Sequence, residues 1–569
     1  VHLSPDSAVF GAAGFLGRAL VAELLRRGHA VAAAVHGPSG PLRAWLEAQG
    51  ADARALTVVT ADVTRPGLGL DAMPGVRDVY NCAARYAFGL DPVEARAVNV
   101  TGALNVLEWT AELPAARRLV HLSGYRVAGT DGPDARLGAY ESSKREGDAA
   151  VRRRAAALGV PTTIANPASV IGPGQYIGLS SMVGELWRGR LPAVPGGPRT
   201  FVPVVELGHL ARFLAELPAA PETAGRDYWV LDDATPELPR MLGLLAGHLG
   251  VRAPRGHVPV PLVRALPRFL THADPETLPF LSEDRYPTGP ADDFARARGL
   301  NAPPVEQALR DWADHLVASR FGAVAAPAGP YGFQDVAGGR TWLEGDRDDP
   351  EHVLLHGLPL DGASWAETAR HLDGPVLAAD LPGLGRSGPA NASADAWLAA
   401  LLAPVKGRPL LTAHSYACGP AVRYAARHPE KIRGLVLVAP PFLLAPAARR
   451  KPAALTALML RRASPARLAA LLGVPHGEAV ESAAASLRRP GVARRTAAAA
   501  HAAAEGRPAL RRALAEVTVP LAVVTGEADP AVHAPPSGAA TAVIKGAGHF
   551  PQLTHPEETA RAVAGGGRE

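Results

Sequence analysis

A chain of 569 residues is too long for one ordinary core, and its 47% hydrophobic and 20% charged residues exclude a disordered or fibrous protein. Two cysteines, Cys82 and Cys418, are too few for a disulfide framework or a cysteine metal site, so a reducing, cytoplasmic setting and no metal are expected. The net charge of +5 rests on arginine and comes with no RNA- or DNA-binding motif, and no apolar run approaches about 20 residues, so neither a nucleic-acid partner nor a membrane-spanning segment is expected.

In chain order, residues 7 to 320 alternate short apolar runs with Ala/Leu/Arg-rich helical stretches: SAVF, a helix from Gly14 to Arg27, then HAVAAAV, ALTVVTAD, RDVYNCAA, RRLVHLS and TTIANPASVI, with a helix around Val305 to Ser319 closing residues 1–320. Strands alternating with helices predict a parallel, doubly wound sheet. FGAVAAPAGPYG, residues 321–332, has glycine, proline and alanine without periodicity and reads as a linker. A second α/β series, EHVLLHG, PVLAAD, PLLTAHS, IRGLVLVAP and PLAVVTG, occupies residues 333–569. Residues 442–516 interrupt it with a helical insertion carrying 13 lysines and arginines against 4 glutamates, the place for a cap. A solvated helical face in an arginine-rich protein explains that charge more simply than a binding role.

In VFGAAGFLG, Gly11, Gly14 and Gly17 stand directly after a strand and at the start of a helix. Glycine there lets the backbone turn tightly and approach a pyrophosphate, whose charge meets the free N–H groups of the helix N-terminus. The spacing departs from the commoner GxGxxG, and glycines also close ordinary loops. Further along, YESSK sets Tyr140 and Lys144 four residues apart on one helical face. With ten tyrosines and five lysines, such a pair arises by chance about 0.1 times in the chain. A phenol must drop from a pKa of about 10 to near 7 to exchange a proton at neutrality, a stabilisation of roughly 4 kcal/mol. A lysine ammonium in a dry site has the sign and size to provide it.

Residues 7 to 320 resemble the extended short-chain dehydrogenase/reductase family, of the NAD-dependent epimerase/dehydratase kind, through GAAGFLG, ADVT at 61–64, NCAA at 81–84, NVTGALNVLE at 99–108, HLSGYRVAG at 121–129, YESSK at 140–144 and NPASVIGPG at 166–174. The resemblance implies a Rossmann fold with Tyr140 as general acid/base, Lys144 holding the cofactor ribose and lowering the tyrosine pKa, Asp62 at the adenine, and Asn99 bracing the active-site helix or a proton relay. No acid follows the second strand at AVHGPSG, where His36 stands instead, so NADP is expected, with NAD the alternative. Gly124 replaces the second hydroxyl of the family's Ser-Ser or Ser-Thr pair. Ser123 or Tyr125 then supplies the hydrogen bond to the substrate carbonyl, the substrate needs less polarisation, or the domain binds cofactor without turnover.

The second series carries TAHSYACG at 412–419, a serine at a strand-to-helix turn with Ala413 and Ala417 where glycines are usual. Alanine is expected to strain such a turn. Asp529 in GEAD and His549 in GAGHF follow in the order Ser, Asp, His, and the backbone N–H groups of Leu358 and Tyr416 are candidates for an oxyanion hole. A serine hydroxyl is a poor nucleophile until a histidine takes its proton, and an aspartate fixes the imidazole tautomer. Residues 333 to 565 thus resemble the α/β-hydrolase family, with DLPGLGRSG at 380–388 and GAGHFPQLTHPE at 546–557 as further matches. With Ser415 at the elbow, the resemblance implies ester, thioester or lactone hydrolysis. The expectation is a bifunctional enzyme acting on small molecules, acyl compounds among them; the alternative is a silent NAD(P)-binding sensor joined to a working hydrolase.

Overall fold

The computed structural model describes residues 4–85, 89–126, 138–265, 278, 280–445 and 452–566. The chain divides into two compact units, one of Val1–Val183, Pro192–Leu244 and Pro254–Trp312, the other of Gly184–Leu191, Leu245–Ala253 and Ala313–Glu569.

In the first unit seven strands, β1 (Ser7–Phe10), β2 (Val31–Val35), β3 (Leu56–Thr60), β4 (Asp78–Asn81), β5 (Arg118–Leu122), β6 (Thr162–Pro167) and β7 (Asp227–Val230), form an all-parallel sheet in the order β7-β6-β5-β4-β1-β2-β3. Both faces are covered. Val9 and Val31 enter one core, whereas Ala8, Phe10 and Ala32 enter the other, the period-two alternation of a strand buried on both sides. Because β1 lies between β4 and β2, the winding reverses there, and the carboxyl ends of β1 and β4 open the crevice in which such sheets bind ligands.

In the second unit eight strands, β8 (Tyr331–Val336), β9 (Gly339–Gly345), β10 (His352–Leu355), β11 (Val376–Ala379), β12 (Leu410–His414), β13 (Gly434–Val438), β14 (Leu521–Gly526) and β15 (Ala540–Ile544), run in the order β8-β9-β11-β10-β12-β13-β14-β15. Only the pairings β8/β9 and β9/β11 are antiparallel. The segment between β13 and β14 supplies five helices, Ala453–Arg462, Pro465–Leu472, Glu478–Leu487, Val492–Glu505 and Arg507–Leu514; residues 446–451 of the expected cap lie outside the described residues. Leu460, Leu468, Val480 and Leu487 share a core with Leu360 and Phe550, so these helices pack on the loops beside Leu358 and His549.

Of the strands in the two main sheets, four are not named in the sequence reading: β7, β8, β9 and β15. β7 and the hairpin β8/β9 stand at sheet edges, where polar residues interrupt the apolar run, as in the exposed Gln334 and Asp335 of YGFQDV. β8 begins at Tyr331, within the stretch read as linker, and the preceding helix Val305–Ala318 is tied to it: Asp314 accepts the Phe333 N–H at 3.2 Å and lies 2.7 Å from His248 Nε2.

Candidate active sites

β1 passes into the glycine turn through Gly11, which has φ of 73°, and the helix Phe15–Arg26 starts after Gly14. A Cβ on Gly11 would lie 2.8 Å from the Ala83 backbone, and one on Gly17 would lie 2.1 Å from the Gly11 carbonyl oxygen, so both positions require glycine. No side chain caps this helix and its first turn carries no acid, which leaves an N-terminus suited to an anion at the switch point. The turn therefore fits a dinucleotide pyrophosphate. His36 is exposed directly after β2. Asp62, after β3, accepts hydrogen bonds from Thr64 N–H at 2.9 Å and Thr64 Oγ1 at 2.6 Å, which hold its carboxyl below the usual range, with His36 adding to the effect. Sequence reasoning missed Arg18, whose guanidinium lies 4.7 Å from the centre of the Trp45 ring in the same region.

Tyr140 and Lys144 lie in the first turns of the helix Ala139–Leu158, Tyr140 half-buried and Lys144 fully so. Lys144 Nζ donates to Leu122 O at 2.7 Å, at the carboxyl end of β5, and burial lowers its pKa to about 8 against the opposing pull of Asp148. Ser123 is next in the chain; its N–H donates to Ala165 O at 2.9 Å, while its buried Oγ has no hydrogen-bond partner among the described residues. Asn99 sits in a π-helical turn, Ala97–Gly102, and links three segments. Its Oδ1 accepts the Arg85 N–H at 2.9 Å and its Nδ2 donates to Ser143 Oγ at 2.9 Å, which in turn donates to the Tyr140 carbonyl at 2.9 Å. A Cβ on Gly147 would lie 2.1 Å from Asn99 O, so the helix is held close against this turn. Tyr125 packs in the core, its ring 5.0 Å from that of Tyr286. Ser123 is thus the hydroxyl beside the Lys144 anchor. Val127, Ala128 and Gly129, the end of HLSGYRVAG, lie outside the described residues.

In the second unit β12 delivers Ser415 in the left-handed region, φ 51°, before the helix Cys418–Arg427. A non-glycine residue there costs of order 1–2 kcal/mol, the strain that lifts a side chain clear of the sheet. The expectation that alanine strains the turn is corrected: Ala413 lies in β12 and Ala417 has a helical φ of −66°, so the strain falls on Ser415 alone. Ser415 Oγ is 2.9 Å from His549 Nε2, and His549 Nδ1 is 2.5 Å from Asp529 Oδ2. Gly526 brings the two loops together, since a Cβ there would lie 2.3 Å from Gly548 O. A Cβ on Gly357 would lie 2.8 Å from Ser415 Cβ, which sets the backbone leading into Leu358 against the elbow, with Tyr416 next to the serine.

Two supports went unseen in the sequence. His414, buried and kept neutral with its pKa lowered to about 3, places Nε2 2.8 Å from the His549 carbonyl oxygen and so fixes the loop that carries the base. Asp361, whose pKa burial raises to about 6, accepts Ser482 Oγ at 2.7 Å and Ser486 Oγ at 3.2 Å and joins the loop after Leu358 to a cap helix. Partners over 120 residues apart leave no local signal.

A doubly wound dinucleotide fold joined to a hydrolase fold with a serine elbow defines the class of this chain. Residues 8–202 match the NAD dependent epimerase/dehydratase family and residues 353–562 match the Alpha/beta hydrolase family, and both are families of enzymes. Over 123 residues it is 32% identical to the dihydroflavonol 4-reductase of Callistephus chinensis, a match covering 21% of this chain and 34% of that protein, so the chain spans about a third of the length of this curated relative. Among solved structures it is similar to the terminal R domain from the myxalamid PKS-NRPS biosynthetic pathway, at 20% identity over 57% of this chain and 94% of that one with a TM-score of 0.45. It is also similar to UDP-glucuronic acid 4-epimerase from Bacillus cereus, at 15% identity over 55% and 98% with a TM-score of 0.43. The two matches place a nicotinamide-cofactor family fold and a hydrolase family fold in one chain. Among the described residues no helix is long and apolar enough to cross a membrane, and no group of three or more His, Cys, Asp or Glu side chains could hold a metal ion.

Proposed function

We propose that the chain is an NADP-dependent oxidoreductase acting on a carbonyl or hydroxyl group and a serine hydrolase of an ester, thioester or lactone. The hydrolase reading is carried by the continuous path from Ser415 Oγ through His549 to Asp529, 2.9 Å and 2.5 Å long in its two steps. His549 Nε2 takes the hydroxyl proton as Ser415 Oγ bonds to the acyl carbon, Asp529 holds Nδ1 protonated, and the N–H groups of Leu358 and Tyr416 receive the oxyanion. The proton then passes to the departing alkoxide or thiolate. Water attacks the acyl-enzyme by the same route and restores the serine. Covalent labelling by a serine-reactive phosphonate, lost in Ser415→Ala, tests this; labelling that persists in the variant refutes it.

For the reductase, Gly11, Gly14 and Gly17 receive the pyrophosphate, Asp62 the adenine, His36 a 2′-phosphate and Lys144 the nicotinamide ribose. Bound there, the cofactor supplies or accepts a hydride. Tyr140 exchanges the proton with the substrate oxygen, Lys144 favours its phenolate, Ser123 Oγ binds that oxygen, and Asn99 holds the helix turn that carries Tyr140. The absence of an acid after β2 favours NADP over NAD, and the partial likeness to a reductase favours carbonyl chemistry. A screen of aldehydes, ketones and acyl thioesters for NADPH and NADH oxidation, run on wild type and Tyr140→Phe, tests the assignment. Activity that survives the substitution removes Tyr140 from the mechanism. Gly124 favours a second reading, a cofactor-binding sensor without turnover; NADPH binding with no oxidation by any carbonyl, and an altered esterase rate, would select it.

A further inference from the structure

The cap helices border a cavity of about 1010 Å3, all of whose lining residues belong to the second unit. Eight arginines and no aspartate or glutamate line it. Some are balanced from behind, Arg320 by Glu481 at 2.9 Å and Arg386 by Asp380 at 2.9 Å. Arg461, Arg462, Arg488 and Arg489 make no ion pair among the described residues. Arg489 stands out: it is only 6% exposed, its Nη1 donates to Gly385 O at 2.9 Å, and its Nε is buried with no partner among the described residues. Burial lowers its pKa to about 9, with Arg495 adding repulsion.

A buried guanidinium without a carboxylate is costly, and a structural role accounts for only part of its contacts. Aromatic surfaces accompany the charge. The Arg489 guanidinium lies 3.5 Å from the centre of the Trp187 ring and that of Arg188 lies 5.2 Å from the Phe321 ring. Arg320 and Phe321 both take left-handed backbone, φ 48° and 58°, which turns two consecutive large side chains at the cavity at a conformational cost. Four uncompensated cations exceed what a single carboxylate neutralises, and the volume admits a whole small molecule.

We infer that the cap carries a binding site for the diphosphate group of a small molecule, with planar guanidinium groups gripping the phosphates and the Trp187 and Phe321 rings flanking them. The test is independent of the hydrolase chemistry, because binding is read without turnover. The test titrates the full-length protein with inorganic pyrophosphate and with coenzyme A, by calorimetry and tryptophan fluorescence. Saturable binding is expected, weakened by salt, with a fluorescence change missing in Trp187→Phe. Arg488→Ala/Arg489→Ala should weaken it about ten- to hundredfold. Arg461→Glu/Arg462→Glu, on exposed side chains, should act in the same direction with the fold intact. Coenzyme A binding more tightly than pyrophosphate identifies a nucleotide; equal affinity identifies a free diphosphate. No saturable binding of either probe, binding unchanged by the Arg461→Glu/Arg462→Glu variant, or arginine-dependent binding only to phosphatidylglycerol vesicles overturns the inference.

Discussion

The two candidate sites differ in how much of each the polypeptide completes. Around Ser415 the reacting side chains are paired with one another within the chain: hydroxyl to imidazole, imidazole to carboxylate, and the His549 carbonyl to His414. Around Lys144 the ammonium is held by one backbone carbonyl, and the neighbouring Ser123 hydroxyl has no partner among the described residues. The difference follows from the chemistry. A covalent nucleophile is part of the protein and is aligned before substrate arrives, whereas hydride transfer occurs between two ligands, so groups aimed at them stay unpaired until binding.

That contrast can be broken most forcefully at the serine. Ser415→Ala should lower ester turnover by roughly 10⁴- to 10⁶-fold, and Asp529→Asn by about 10⁴-fold, while NADPH binding, followed by fluorescence titration, stays within error. A residual rate near wild type would show that Ser415 is not the nucleophile. At the other site Tyr140→Phe should cost about 10²- to 10⁴-fold in carbonyl reduction, with cofactor affinity nearly unchanged, since the phenol acts on a proton and not on binding.

Lys144 gives the reductase a pH signature. Its pKa of about 8 lies below the ordinary 10.5. Between those values the unfolded chain still holds a proton that the folded protein has released, so this residue's contribution to folding stability rises with pH across the window and is least favourable below about 8. Activity runs the opposite way, because the charge that favours the Tyr140 phenolate is present below about 8 and lost above it. The NADPH-dependent reduction rate should fall as pH rises through about 8, and Lys144→Met should remove that step along with most of the rate. A flat profile in wild type would separate the lysine from proton transfer.

Local patterns were readable from residues alone because their physics is local. Gly17 is required by its approach to Gly11 within one turn and Gly11 takes a left-handed φ in that turn, and Tyr140 and Lys144 share a face by helical geometry. Ser415, Asp529 and His549 were readable in another sense, each from its place after an apolar strand. Illegible were the residues that hold these groups in place. Asn99 reaches Ser143 across 44 positions, a role available only through resemblance, and Asp361 reaches Ser482 across 121. The φ of Ser415 was also hidden, which is why the neighbouring alanines looked more troublesome in sequence than they are in the fold.

The finest test lies at Gly124, the position that separates a reductase fold from a working reductase. A missing donor to the substrate oxygen costs roughly a hundred- to a thousandfold, so Ser123→Ala should produce a loss of that size if its unpartnered Oγ is the donor in use. Gly124→Ser should then change the rate by less than about tenfold, because a second hydroxyl adds little once the first is engaged. Both are read as kcat for carbonyl reduction at saturating NADPH, alone and combined, so that coupling between the two positions is measured directly. If Gly124→Ser instead raises kcat a hundredfold while Ser123→Ala does nothing, the wild-type chain lacks the donor, and its first unit is a cofactor-binding domain whose catalytic edge a single hydroxyl restores.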